Sequence, residues 1–175
     1  MPNFNINWEG VHSPPSIMKG RMKEIEIEKK FLLTQDKAKE LIIGVKPIDM
    51  IDYYVPNGQP HMQLRLRKNG DKYCITRKIP LETGIMSEQT LDINKTEFEY
   101  LITGIQTSVA KDRYKTKWHG LNVEIDIYKG RHEGLNVLEI EFSSKEMFDN
   151  FQDKLEGCTD ITGIEKYAAG KLAEI

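Results

Sequence analysis

The chain has 175 residues, 30% charged and 39% hydrophobic, with 25 Lys and Arg against 27 Asp and Glu for a formal net charge of −2. That length suits one domain with a substantial core and is short for two. A nearly balanced charge excludes bulk attraction to nucleic acid or to a membrane surface, so strong anion binding needs a local concentration of Lys and Arg. No run of apolar residues is long enough to span a bilayer as a helix.

Met1–Arg21, with Pro2, Pro14 and Pro15, lacks the basic start and apolar centre of a secretory signal. It reads as an extended, poorly ordered leader before a domain over 22–175, with Met22 available as an internal start. Glu24–Leu33 is a strand whose faces disagree: Ile25, Ile27, Phe31 and Leu33 lie on one side, Glu24, Glu26, Glu28 and Lys30 on the other. Acids two residues apart stand roughly 7 Å from each other, close enough for two to bend toward one hard cation. The plainer reading is the wet face of an edge strand.

Thr34 can cap a helix over Gln35–Ile43 that ends near Gly44 and Pro47. Ile48–Val55 is an aromatic, β-branched strand, and Pro56-Asn57-Gly58-Gln59-Pro60 a turn cluster. Strands His61–Lys68 and Asp71–Ile79 flank Asn69-Gly70, a hairpin signal. A loop at Pro80–Thr83 leads to a fifth strand, Ile85–Ile93, and Asn94–Thr103 has helical spacing. Ile105–Trp118 and Leu121–Lys129 are strands joined by His119-Gly120, and Gly134–Phe142 is the eighth. Ser143 or Ser144 opens a helix through Leu155 with Met147, Phe148, Phe151 and Leu155 as its stripe, and Glu165–Glu174 is a last short helix. Eight strands linked largely by hairpins, with a few helices between, make an antiparallel α+β fold.

The segregated faces recur. Arg65 and Arg67 oppose Leu64 and Leu66; Thr76 and Lys78 oppose Ile75 and Ile79, with Arg77 an exception; Glu88 and Thr90 oppose Ile85, Leu91 and Ile93. Lys111, Arg113, Lys115 and Lys117 share a face, Glu124 and Asp126 oppose Val123 and Ile125, and Glu139 and Glu141 oppose Leu138 and Ile140. A β-sandwich with its charges in water explains this. So does a barrel with apolar faces outward under the helices and charges lining a wet channel; periodicity leaves both open. A dry core of these charges is excluded, because each uncompensated buried ion costs several kcal/mol against a typical total stability of about 5–15 kcal/mol.

Other residues carry less. Cys74 and Cys158 lack metal-ligand spacing and read as reduced thiols of a cytoplasmic protein. His12, His61, His119 and His132 are scattered and have the look of surface histidines. Tyr53, Tyr54 and Trp118 suit packing better than base stacking, and Asp112 interrupts the basic strip.

Glu26-x-Glu28-x-Lys30 followed by Phe31-Leu32 resembles the ExExK signature of the CYTH superfamily, the triphosphate tunnel metalloenzymes. The same order continues through Arg65-x-Arg67, Thr76-x-Lys78, Glu88, Lys111-x-Arg113-Tyr114, Glu124-x-Asp126, Gly134-Leu135, Glu139-x-Glu141, Ile161-Thr162-Gly163, Lys166-Tyr167 and Leu172-Ala173. The resemblance runs from about Met22 onward and implies an eight-stranded antiparallel β-barrel whose charged tunnel binds a small-molecule triphosphate with Mg²⁺ or Mn²⁺. It implies Glu26, Glu28, Glu124, Asp126, Glu139 and Glu141 as metal ligands, with less defined roles for Glu124 and Lys111. It places Lys30, Arg65, Arg67, Lys78, Glu88, Lys111, Arg113 and Lys166 on the substrate, Lys166 closing over it, and gives Glu28, Lys30, Glu139 and Glu141 the catalytic work.

The reading drawn from this resemblance is a metal-dependent triphosphatase acting on inorganic tripolyphosphate, in a cytoplasmic protein that can be a homodimer. Alternatives are a CYTH-type adenylate cyclase, a thiamine triphosphatase and a non-catalytic module that binds polyphosphate or nucleotides. Two positions depart from the family pattern: Thr90 stands where many relatives have a second acid, and Ala169 where many have an asparagine.

Overall fold

A computed structural model describes residues 24–58, 62–152 and 156–174; the expected leader lies outside them, as do His12 and His61, and the helix expected to reach Leu155 already ends at Asn150, where Phe151 turns extended. In chain order the elements are β1 (Glu24–Leu33), α1 (Gln35–Leu41), β2 (Ile48–Val55), β3 (Leu64–Asn69), β4 (Lys72–Glu82), β5 (Ile85–Ile93) and α2 (Lys95–Leu101). They continue with β6 (Ser108–Trp118), β7 (Leu121–Tyr128), β8 (Asn136–Glu141), α3 (Lys145–Asn150), β9 (Cys158–Asp160) and α4 (Ala169–Ala173). Short 3₁₀ turns cover Gly130–His132 and Glu165–Tyr167.

Strands β5-β4-β3-β2-β6-β7-β8-β1 follow one another, and β1 pairs back onto β5 to close an eight-stranded antiparallel barrel. Closure divides β1 between partners. Its residues Glu24–Ile27 face β5, Glu28–Leu32 pair with β8, and Phe31–Leu33 pair with β9 on the side that β5 has left. The handover is continuous: the Glu28 amide donates to the Gly84 carbonyl at 2.8 Å, and the Ile161 amide to the Lys30 carbonyl at 2.8 Å.

Local chemistry sets the boundaries. Thr34, Asn94 and Ser144 cap α1, α2 and α3 by accepting a hydrogen bond from a backbone amide three residues on, and Glu97 completes a capping box with Asn94. His119 and Gly120, with φ of 48° and 79°, form the two-residue loop joining β6 to β7. The β3–β4 loop is Gly70-Asp71, one residue later than Asn69-Gly70, because Asn69 still pairs with Lys72. The loop expected at Pro80–Thr83 is instead the end of β4, where the register shifts between Pro80 and Glu82 and so accommodates the missing amide of Pro80. Three-residue β9 had no sequence expectation; it is too short to show a period.

The charge-lined barrel is therefore the correct alternative to the sandwich. On its outside, Phe31, Leu33, Val123, Ile125, Leu138, Ile140 and Phe142 form a core with Ala38 and Leu41 of α1 and Phe148 of α3. Phe98 of α2 lies against Tyr53 and Tyr73, with ring centroids 6.0 and 5.0 Å away. A second core sits inside, where the inward-facing Tyr54, Val109, Tyr128 and Val137 meet Ile161 and Ala173 of α4. That cluster closes one end of the barrel.

The β4–β5 turn nests against β1 and α3 because Gly84 has no side chain. At its φ of +74° an added Cβ would stand 2.6 Å from the Phe148 ring and 2.7 Å from the Glu28 carbonyl. Gly84→Ala should cost about 2 kcal/mol or more in denaturant unfolding, while Gly70→Ala, whose Cβ would meet only Ile48 Cγ2 at an ordinary 3.7 Å, costs about 1 kcal/mol. Equal losses at the two positions would refute the tight nesting.

Candidate active site

Eight tilted strands leave an interior just wide enough for side chains or one small ligand. Here it holds a cavity of about 430 Å³ lined almost wholly by charge. Alternation turns Glu24, Glu26, Glu28 and Lys30 of β1 inward, and pairing then matches them with the other strands. Glu28 lies opposite Glu141, Lys30 opposite Glu139, Glu124 opposite Glu139, Arg113 opposite Asp126, and Lys78 opposite Glu88. Acids on β1, β7 and β8 thus stand beside bases on β6 and β4.

Arg113 is the hub. Its Nε and Nη2 donate to Asp126 at 2.6 Å each, Nη2 also reaches Glu139 at 2.7 Å, and Nη1 binds Glu124. Lys30 bonds Glu139 at 2.7 Å and lies 3.0 Å from Glu28. Lys111 pairs with Asp126, Lys115 with Glu124, and Lys78 with both Glu26 and Glu88. Thr90 donates to Glu88 at 2.8 Å and shares a 3.0 Å hydrogen bond with Thr76. At this departure from the family pattern a hydroxyl therefore steadies the remaining acid. Arg65 is different: it is buried, borders the cavity, and among the described residues its Nε has no hydrogen-bond partner. A buried guanidinium donor left open is costly, and an anion in the cavity would satisfy it.

The acids fall into two groups. Burial alone would raise Glu139, but Lys30, Arg113 and Lys111 overturn that and hold it well below the usual carboxylate range. Asp126 is likewise lowered, against its burial, by Arg113 and Lys111. Glu28 goes the other way, raised by burial and by Glu139 despite Lys30. Glu141 is raised by partial burial and then by the charges of Glu124 and Glu26. It has no ion-pair partner among the described residues.

The donor chemistry fits a hard divalent cation: Glu26, Glu28, Glu124, Glu139 and Glu141 offer only oxygen, and the mutual repulsion around Glu141 is what such an ion would relieve. Among the described residues no three acidic, His or Cys side chains already surround one point at ligating distance, because Lys and Arg hold them apart in pairs.

Of the residues expected at the site, all but one converge on the barrel interior. Asp126 is fully buried behind Arg113 and Lys111, where it serves as their counter-ion. Lys166 stands apart from this interior. It is exposed, with Nζ 4.9 Å from the Tyr167 ring centre, because the 3₁₀ turn there packs Tyr167 onto the inner core and sends its neighbour to solvent. Lys171, not Lys166, borders a second cavity, of about 410 Å³, between the β4–β5 turn and the stretch 161–171. Tyr54, Met62, Met86, Ile161 and Tyr167 line it, and it meets the first cavity at Lys30, Arg65, Lys78 and Ala169.

Sequence reasoning missed Asp52, which is fully buried and grips Arg67. It shares parity with apolar Met50 and Tyr54 while Asp49 lies on the other, so alternation gives β2 no charged face; the pairing of Asp52 opposite Arg67 is what places it inside.

The raised carboxyl of Glu141 sets a pH test. A group whose proton affinity rises on folding disfavours the folded state once pH passes above its unfolded range. Glu141→Gln should therefore raise the melting temperature of the metal-free protein at neutral pH, with the gain vanishing well below the usual carboxylate range. A constant or inverted difference across pH would refute the crowding of acids at this mouth.

Comparison with known proteins places these features. The family model for the CYTH domain matches residues 24–157. An inorganic triphosphatase of Nitrosomonas europaea is 31% identical over 151 residues, covering 85% of this chain and 96% of its own. One of Acetivibrio thermocellus is 28% identical over 154 residues, covering 85% and 93%. A crystal structure of an inorganic triphosphatase superposes with a TM-score of 0.59 at 26% identity, covering 85% of this chain and 93% of its own. A putative adenylate cyclase from Bacillus halodurans shares the fold, with a TM-score of 0.62 at 17% identity over 83% of this chain and 98% of its own. With its signature strands wrapped around one charged cavity and the family match spanning most of its length, the chain belongs to the CYTH domain family.

Proposed function

We propose that this protein is a divalent-metal-dependent triphosphatase whose substrate is inorganic tripolyphosphate. The observation that carries this reading is the cavity itself: Lys30, Arg65, Arg67, Lys78 and Arg113 from four strands point into one space that also holds carboxylates. A pure anion trap would be weakened by those acids, whereas phosphoryl transfer needs both signs, to neutralise a substrate of about four negative charges and to position the attacking water. The names of the two curated relatives, both inorganic triphosphatases, support the same chemistry. A cytoplasmic location and a homodimeric state belong to this proposal.

Glu26, Glu28, Glu124, Glu139 and Glu141 would hold Mg²⁺ or Mn²⁺, which when bound supplies Lewis-acid neutralisation of phosphate oxygens. Arginine forks give two-pronged contacts to those oxygens and Lys30 and Lys78 add point charges. Glu139, kept ionised by Lys30 and Arg113, stays available as an acceptor. Glu28 and Glu141, with raised proton affinity, suit acceptance of a proton from water. Water attacks the terminal phosphorus, the bridging P–O bond breaks in line, and orthophosphate and pyrophosphate leave.

A second reading has its own observation. The second cavity, with Tyr54, Met62, Met86, Ile161 and Tyr167 in its wall, meets the first at three cations and has room for an organic group on a triphosphate, as in thiamine triphosphate or a nucleoside triphosphate. One screen separates the readings: tripolyphosphate, thiamine triphosphate and ATP, each with Mg²⁺ and Mn²⁺, with orthophosphate and cyclic AMP both measured. Orthophosphate should be released fastest from tripolyphosphate. Cyclic AMP and pyrophosphate from ATP would replace the hydrolase with a cyclase, and tight binding without turnover would leave a binding module. Glu139→Gln should lower turnover of tripolyphosphate about 100-fold or more, and a near-normal rate would remove Glu139 from the chemistry.

A further inference from the structure

Arg65 and Arg67 stand two residues apart on the inner face of β3, yet they are held differently. Among the described residues the Arg65 Nε has no partner, whereas the Arg67 Nε and Nη2 donate to the two oxygens of Asp52 at 2.6 and 2.7 Å. This side-on pairing uses two of the five guanidinium N–H groups. The Nη1 hydrogens and the second Nη2 hydrogen remain, and Arg67 borders the cavity. Asp52 does not border it: it is fully buried on β2, directly across the strand pair from Arg67.

Resting on the triphosphatase reading, we propose that Asp52 is a positioning residue that fixes the guanidinium fork of Arg67, so that its free N–H groups meet the substrate phosphate in one orientation. The alternative, a pair kept for stability alone, is physically poor, since a buried ion pair seldom outperforms an apolar one of equal volume. Positioning is also needed at this place. Arg113 repels Arg67, so without a carboxylate behind it the fork would be pushed away from its neighbour. Asp52 also lies close enough to Arg65 and Lys111 to act as their counter-charge. Arg65 can then follow the ligand while Arg67 serves as the fixed template.

The two functions of Asp52, charge and orientation, pull ligand binding in opposite directions. Asp52→Asn removes a negative charge, which favours a polyanion, but it cannot accept both arginine N–H bonds. The expected result is a kcat for tripolyphosphate hydrolysis lower by about tenfold or more with KM unchanged or reduced. In an Arg67→Met background the same substitution should cost nothing further. A loss confined to KM, or an equal loss without Arg67, would overturn the proposal. Asp52→Glu keeps the charge and displaces the carboxylate; it should show the same kcat loss in milder form, which covers the case in which the Asn variant does not fold. An assay-independent readout completes the test. Nitrogen-15 NMR of the arginine side chains should show one Nε–H, assigned by Arg67→Lys, that exchanges slowly in the unmutated protein and rapidly in Asp52→Asn. Fast exchange in the unmutated protein overturns the positioning role. Slow exchange in a protein that hydrolyses no triphosphate overturns the triphosphatase reading and leaves the Asp52–Arg67 lock standing.

Discussion

At the centre of the barrel one guanidinium on β6 meets three carboxylates, Asp126 and Glu124 from β7 and Glu139 from β8. This cluster permits the hollow interior. Removing either sign would leave the other buried and uncompensated at several kcal/mol per ion. Apolar residues cannot replace it without filling the space. They are used instead at one end of the barrel, where Tyr54, Val109, Tyr128 and Val137 close it, and outside, where α1 and α3 cover the wall. The division of the molecule into a greasy exterior layer, a greasy floor and a wet charged middle follows from the need to satisfy every interior charge with another.

The same pairing means that the interior meets a ligand as an exchange of partners. Except for Arg65, the tunnel cations already have acids attached. In the proposed reaction a polyanion takes cations from their carboxylates, and the acids so released become the oxygen ligands a divalent ion requires. On that proposal, binding of either species would prepare the site for the other, a coupling that is reciprocal by thermodynamic necessity. It also explains how a chain with enough acidic residues for a metal centre can have, among the described residues, no three of them around one point at ligating distance.

Much of this was legible in the order of residues because a strand has a period of two. Seven alternating segments with charge on one parity carry the barrel's inner lining, from Glu26 to Glu141. Alternation could not choose between a sandwich and a barrel, since both have one wet and one dry face; the choice rests on β1 pairing with β5, a contact between residues more than 50 positions apart. Lys166 stands apart from that lining for a related reason. Its motif position lies in a 3₁₀ turn, where neighbouring side chains point in different directions from those of a strand or helix. Asp52 was not legible for a different reason: β2 carries one acid on each parity, Asp49 and Asp52, and only the register with Arg67 selects the inner one. The second cavity was invisible: its lining comes from the β4–β5 turn and the stretch 161–171, distant segments that share no local pattern.

The divided pairing of β1 has a further consequence for how the chain is made. The first strand of the barrel is zipped on one flank to β8 and on the other, in its second half, to β9, both of which are synthesised more than 100 residues later. The hairpins from β2 to β7 can form as they leave the ribosome, whereas β1 must wait, with its apolar side uncovered and its backbone groups open. Topologies that depend on such distant pairings fold slowly and expose aggregation-prone edges meanwhile. The alternating glutamates of β1 are suited to that interval, since a strand carrying like charges along one side resists stacking on its own copies in a crowded polysome.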